Sequence, residues 1–183
     1  MPKMISKECY KTLSSIAGIL PALGAYFTCM SILLFAYVPS GSMLPTFQLG
    51  DIAISYKLIA PESIEREDIV TFSPATEANA DMGLDPQAIF VKRVVGLPGD
   101  TIEISGGVLY VNGEAQVRDY TAEEKTGDFA KVTVPEDSFF VMGDNRNYSE
   151  DSRFIGFIPF ENLCGKVVFH TRHFLLPVLG TIL

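Results

Sequence analysis

No charged side chain occurs between Thr12 and Val38, and no histidine occurs before residue 170. Cysteine is scarce, with Cys9, Cys29 and Cys164 far apart. Positive charge is in deficit: 14 Lys and Arg stand against 22 Asp and Glu, a net charge of −8 over 183 residues. Each shortage excludes something. A chain this acidic does not suit a nucleic-acid partner. Cys9 lies just before the apolar run and Cys29 inside it, so neither reaches Cys164 easily, and no disulfide or metal-binding spacing results. His170 and His173 sit three apart with no third ligand nearby, so no metal site is expected, and a Ser-His-Asp triad would have to recruit one of these late residues. No cofactor is expected. There are also no internal repeats and no low-complexity tracts.

What is present begins with the charge-free run itself. Residues 12–38 are 27 residues long, and about 20 helical residues cross the hydrocarbon of a bilayer. Pro21 and Gly24 are tolerable inside such a helix. A cleavable leader would have a shorter apolar core and a small-x-small site after it. Leu34-Phe35-Ala36-Tyr37 is a poor site, so an uncleaved anchor is expected. Lys3, Lys7 and Lys11 against Glu8 give residues 1–11 a charge of +2, which leaves −10 for the remainder. The positive-inside rule then predicts a cytoplasmic tail (1–11), a transmembrane anchor (12–38) and an extracytoplasmic body (39–170). Phe174 to Leu183, within the apolar tail 171–183, is too short to span alone.

The body reads as many short strands with Gly/Pro turns: a mostly β fold. Strands are expected at Ile52–Tyr56, Ile69–Phe72, Gln87–Val95, Ile102–Ile104, Val108–Val111, Val132–Val134, Phe139–Met142 and Val167–Phe169. Asn112-Gly113 is a type I′ turn signal. Residues 74–86 and Gly143 to Arg153 are expected to be loops.

Two places carry candidate chemistry. Pro39-Ser40-Gly41-Ser42-Met43-Leu44-Pro45-Thr46 is barred from regular helix by its prolines. In an extended chain Ser40 and Ser42 point to the same side. The stretch reads either as a plain Ser/Gly/Pro turn or as a nucleophile with a helper hydroxyl. In the strand around residue 92, alternation puts Phe90, Lys92 and Val94 on one face. A lysine between apolar neighbours either pairs with an acidic residue or is desolvated, which lowers its pKa and fits it to act as a base. Arg93 cannot serve, because a guanidinium keeps its proton.

Ser40-Gly41-Ser42-Met43-Leu44-Pro45-Thr46 resembles the nucleophile box of the type I (leader) signal peptidases, the Ser-Lys serine peptidases of bacterial membranes. Lys92-Arg93-Val94-Val95-Gly96-Leu97-Pro98-Gly99-Asp100 is similar to their lysine box. Gly143-Asp144-Asn145-Arg146, followed by Ser149, Asp151, Ser152 and Arg153, is similar to their third box, and Gly50-Asp51-Ile52 to the short box between the first two. The resemblance covers essentially residues 15–170. It implies a catalytic domain of coiled antiparallel β-sheet behind one N-terminal transmembrane helix. It also implies Ser42 as nucleophile, Lys92 as general base, the Ser42 N–H and Ser40 hydroxyl as oxyanion donors, and Ser149 as the residue orienting the Lys92 amine. Asp144, Arg146, Asp151 and Arg153 would be structural, with Asp151 paired to Arg153 or another arginine. Val38, Pro39, Met43, Phe47, Ile89, Phe90 and Val91 would line a shallow substrate site beside residues 89–91.

The implied partners are secretory preproteins with Ala-x-Ala-like cleavage sites and membrane lipid. The implied location is the bacterial inner (plasma) membrane, single-pass, with the N-terminus cytoplasmic and the catalytic domain periplasmic or extracellular. The chain departs from the pattern in two ways. Only 42 residues separate Asp100 from Gly143, where larger members insert a domain. Asn147-Tyr148 stands where small polar residues are frequent. The acidic body and apolar tail leave open a dedicated role, such as processing a pilin or another secretion-system component. A self-cleaving repressor would also use Ser-Lys chemistry, but an N-terminal span argues against it. A non-catalytic anchored module would tolerate loss of Ser42 and Lys92.

Overall fold

The charge-free run becomes two different elements. In the computed structural model, helix α1 covers Lys7–Ile32 with Pro21 inside it, and Leu33–Tyr37 is strand β1. The structure describes residues 7–116, 121 and 126–171; within α1 it describes the side chains of Ile19 and of residues from Pro21 on. The apolar tail beyond Thr171 and the tail residues 1–6 lie outside the described residues. A hydropathy sum over 12–38 is blind to the change at residue 33, and only the pattern of burial reveals it. Ala36 and Val38 are buried, while Phe35 and Tyr37 are exposed, the period of two that marks a half-buried strand. Residues 1–33 and 34–183 form separate compact units. In the first, α1 exposes Ile19, Leu23, Tyr26, Phe27 and Met30. Among the described residues no helix is long and apolar enough to cross a membrane.

The second unit is mostly β, as expected. The remaining strands are β2 (Ile52–Tyr56), β3 (Ile69–Phe72), β4 (Phe90–Gly96), β5 (Thr101–Ser105), β6 (Val108–Val111), β7 (Glu114–Gln116), β8 (Phe129–Thr133), β9 (Ser138–Met142), β10 (Ile158–Pro159) and β11 (Leu163–Thr171), with a one-turn helix α2 at Ser152–Ile155. A seven-stranded sheet has the order β1-β2-β11-β3-β4-β9-β10, and a four-stranded sheet has the order β7-β6-β5-β8. The pairings of β4 with β3 and with β9 are antiparallel, as is the β5–β6 hairpin. The register slips between Val94 and Gly96 on β4 and between Val167 and Phe169 on β11; such irregularities bend a strand and let a sheet curl. Asn112 and Gly113 both take positive φ, 55° and 81°, as a type I′ turn requires.

The core explains why β4 and β9 lack polar alternation. Val94, Phe139 and Val141 pack into one apolar cluster with Val70, Phe72, Ile155 and Ile158. Their neighbours Val95, Phe140 and Met142 pack into a second with Ile102, Ile104, Leu109 and Val111 of the smaller sheet and with Val134 just past β8. Both faces of these strands are covered, so both sets of side chains are apolar. A third cluster, Ala36, Val38, Met43, Phe47, Ala53 and Val91, supports the loop after β1.

Candidate active site

Ser42 stands on that loop, and the loop is closed at its neck. Val38 N donates to the Asp51 carbonyl at 2.9 Å and Gly50 N to the Val38 carbonyl at 2.9 Å. Inside, Leu44 N bonds the Gly41 carbonyl and Phe47 N the Met43 carbonyl. Buried Met43 and Phe47 anchor it from below. From the other side, Asn145 N donates to the Ser42 carbonyl at 3.0 Å and Asn145 Nδ2 to the Gly41 carbonyl at 3.0 Å. A Cβ on Gly143 would collide with the Ser42 carbonyl oxygen and the Ser149 hydroxyl, so only glycine lets these two segments approach.

Lys92 comes from β4, opposite Val70 of β3. Its Nζ donates to Ser42 Oγ at 2.7 Å, and Ser40 Oγ donates to the same oxygen at 3.3 Å. The Phe90 ring faces the amine at 5.3 Å, on the face that alternation predicted. Ser42 is 7% exposed and Lys92 4%. Burial disfavours the ammonium and lowers the lysine from 10.5 to about 8, against the opposing pull of Asp151, Glu150 and Asp144. Loss of solvent thus outweighs three carboxylates, and a neutral amine is within reach near physiological pH.

The polar loop 143–153 is held by two buried ion pairs. Asp144 takes a fork from Arg93, Nε at 2.8 Å and a terminal nitrogen at 2.6 Å, and accepts from the Thr46 hydroxyl. Asp151 caps α2, accepts from Gly143 N at 3.0 Å, and pairs with Arg153 at 2.8 Å. Arg153 reaches on to Thr126 Oγ1 and to the Arg146 carbonyl, while Arg146 Nε donates to the Gly143 carbonyl at 3.1 Å. Arg93, set aside by its fixed charge, is therefore the partner of Asp144. Ser149 Oγ is buried with no hydrogen-bond partner among the described residues. The bond to the Lys92 amine that the resemblance implies is not formed in this structure.

A cavity of about 360 Å³ opens at the pair, walled by Val38, Pro39, Met43, Ile89, Phe90 and Val91 among others. Phe47 does not reach it. Phe47 is 1% exposed and packs beneath Met43 and Val91, with its ring 4.8 Å from that of His170. Tyr37, Tyr148 and Glu150 also border the cavity, and sequence reasoning missed them. Tyr37 was hidden in the charge-free run. The other two lie in a loop with no periodicity to read. Beside the cavity, β3 pairs with β4 from Phe90 onward, but β9 pairs with it only from Arg93. Among the described residues, the start of β4 keeps one free edge. No group of three or more metal-ligating residues occurs among the described residues.

The profile of the family described as signal peptidase, peptidase S26, matches residues 11–171. The chain is 40% identical to a probable signal peptidase I-2 of Synechocystis sp., over 79% of this chain and 64% of that protein. It is 40% identical to a signal peptidase I of Leptolyngbya laminosa, over 72% and 65%, and 39% identical to a signal peptidase I of Bacillus caldolyticus, over 73% and 76%. It thus spans just under two thirds of the length of the first two relatives. The matched region contains the Ser42 loop, the strand that carries Lys92 and the polar loop that locks them together, and on that match the chain belongs to the signal peptidase family, peptidase S26.

Proposed function

We propose that this chain is a serine endopeptidase that removes N-terminal signal peptides from preproteins with Ser42 as nucleophile and Lys92 as general base. One observation carries the reading: a buried lysine amine 2.7 Å from a buried serine hydroxyl, with burial as the main cause of its lowered pKa. Neutral Lys92 takes the Ser42 proton as Oγ attacks the scissile carbonyl carbon. The Ser42 N–H and the Ser40 hydroxyl stabilise the resulting oxyanion. Collapse breaks the C–N bond, and the Lys92 ammonium returns its proton to the leaving amine. Lys92 then activates a water that hydrolyses the Ser42 ester and frees the signal peptide. Ser149, a buried hydroxyl with no partner among the described residues, is proposed to orient the Lys92 amine when substrate is bound.

The substrate is an extended segment that adds to the free edge at the start of β4. Alternate side chains of a strand face one way, so the −1 and −3 residues turn together toward Val38, Met43 and Val91, and small residues of the Ala-x-Ala kind fit there. The exposed apolar residues of α1 and the lysines that precede the charge-free run, Lys3, Lys7 and Lys11, support a single-pass anchor in a bacterial plasma membrane, with the N-terminus cytoplasmic. Housekeeping and dedicated substrates share this chemistry.

The test is incubation of the purified full chain with a preprotein, the product's new N-terminus being read by mass. Cleavage is expected after a small residue. It should vanish in Ser42→Ala and in Lys92→Arg, since arginine keeps its proton. Turnover by a folded Lys92→Arg protein would refute the dyad.

A further inference from the structure

Tyr148 and Glu150, which border the cavity at Ser42 and Lys92, also border a second and larger one of about 750 Å³. Its floor includes Ile155 and its walls include Leu84 and Phe129. Three large groups on its lining are conspicuously exposed: Tyr148 at 76%, Phe154 at 63% and Met82 at 54%. Apolar surface gathered round a concavity of this size is the mark of a binding groove. The lining carries Arg146 and Arg153 as well as Asp128 and Glu150, but its two arginines are turned to partners of their own. Arg153 is committed to Asp151, Thr126 and the Arg146 carbonyl, and buried Arg146 to the Gly143 carbonyl. The Glu150 and Asp128 carboxylates have no cation paired to them among the described residues.

The chemistry proposed above gives this second cavity an occupant. The leaving nitrogen has to lie within reach of Lys92 Nζ, because it takes the proton that Lys92 holds. Tyr148 and Glu150 line the same cavity as Lys92, across from the apolar walls at the start of β4, so the chain that follows the scissile bond leaves past these two residues. The signal-peptide side is accounted for by the apolar walls along the start of β4. Tyr148 and Glu150 are the residues common to both cavities, and a chain leaving Ser42 toward Lys92 crosses between them. We propose that the second cavity binds the first residues of the mature protein, about +2 to +5, and that the Glu150 and Asp128 carboxylates discriminate against acidic residues there. The inference rests on the peptidase reading and deepens it: the enzyme selects on both sides of the bond.

The experiment uses the full chain and peptides that share one signal side. One peptide ends at +1, a second extends to +5, and versions of the second carry Lys, Ala or Glu at +2 and +3. Extension should raise kcat/KM by about tenfold, the effect of burying one or two apolar side chains. Glu at +2 and +3 should be cleaved roughly two- to fivefold less well than Lys, the scale of a solvent-exposed charge pair. Phe154→Ala should lose the gain from extension while still cleaving the peptide that ends at +1. Glu150→Lys should reverse the Lys-over-Glu order. That order is a ratio within one variant, so any change the mutation makes to Lys92 itself cancels. Equal kcat/KM for short and extended peptides, or an order unchanged by Glu150→Lys, would overturn the proposal while leaving the peptidase reading intact. If none of the peptides is cleaved, the peptidase reading fails and takes this inference with it.

Discussion

A lysine buried as deeply as Lys92 is a liability to the fold that holds it, and the proposed role as a base requires that it lose its proton. Lys92 is lowered from 10.5 to about 8. Between those values the unfolded chain binds more protons than the native one, so stability rises with pH across this window. Below about pH 8 the native state carries the full cost of a desolvated ammonium. Lys92→Met should therefore be inactive yet more stable than the parent at pH 7, by on the order of 3 kcal/mol. The advantage should shrink from pH 8 upward and be gone above 10.5, as read from urea midpoints at several pH values. The same titration predicts that kcat/KM of the parent climbs through about pH 8, and a flat profile would speak against a lysine base. Ser149 makes a sharper pair of readouts. Its hydroxyl is buried and unpartnered among the described residues, so Ser149→Ala removes an unsatisfied group and should leave stability equal or up to about 1 kcal/mol higher. Activity should nonetheless fall at least about tenfold if the hydroxyl engages Lys92 during turnover. A variant that is less stable and fully active would mark Ser149 as packing alone.

At the level of elements, the Ser42–Lys92 geometry depends on a brace that joins three segments distant in sequence. Arg93 on β4 forks onto Asp144 at the head of the polar loop, and Asp144 also accepts from Thr46 of the Ser42 loop. The pair is buried, with side-chain exposures of 10% and 0%. Deleting one partner strands the other, which costs about 3–5 kcal/mol. Asp144→Ala should show that loss in chemical denaturation, and activity should fall with it because Ser42 and Lys92 are no longer held together. A loss under about 1 kcal/mol would mean that the brace is not structural. The sequence made Arg93 legible as a non-base but not as a brace, because its partner is 51 positions away and no local spacing encodes it. Strands β2, β3 and β6 were legible at their exact bounds from β-branched runs between turn residues. Strand β11 was found only at its centre, since Gly165 and Lys166 break its apolar run. Strand β1 was missed outright, because five apolar residues after a long apolar helix add nothing that hydropathy can separate.

For the whole molecule, the legible quantity was charge. The pairing of Ser42 with Lys92 could be anticipated because their residue types, order and boxes resemble those of a family. The groove past Tyr148 could not, because it is made where loops 74–86, 126–129 and 143–153 meet, and none has a repeat that reveals a face. The uneven charge bears instead on how the proposed anchor would be oriented. Lys3, Lys7 and Lys11 precede the apolar run, and the first basic residue after it is Lys57. Orientation is set by Lys and Arg within roughly 15–20 residues of a span, and on that count three lysines on the N-terminal side stand against Lys57 alone, at the far limit of the window. The acidic residues of the body contribute little to the rule and do not oppose export. A reporter that works only outside the cytoplasm, fused after residue 170, should therefore be active. Exchanging Lys3, Lys7 and Lys11 for Gln should lower that activity, and adding lysines at exposed positions just after the run should lower it further. The Ser42 loop begins directly after the run, so an outward body puts the nucleophile where an exported precursor, still held by its own apolar segment, first presents extended chain. A reporter active only in the cytoplasm would put Ser42 on the wrong side of the membrane for that substrate, however sound the dyad.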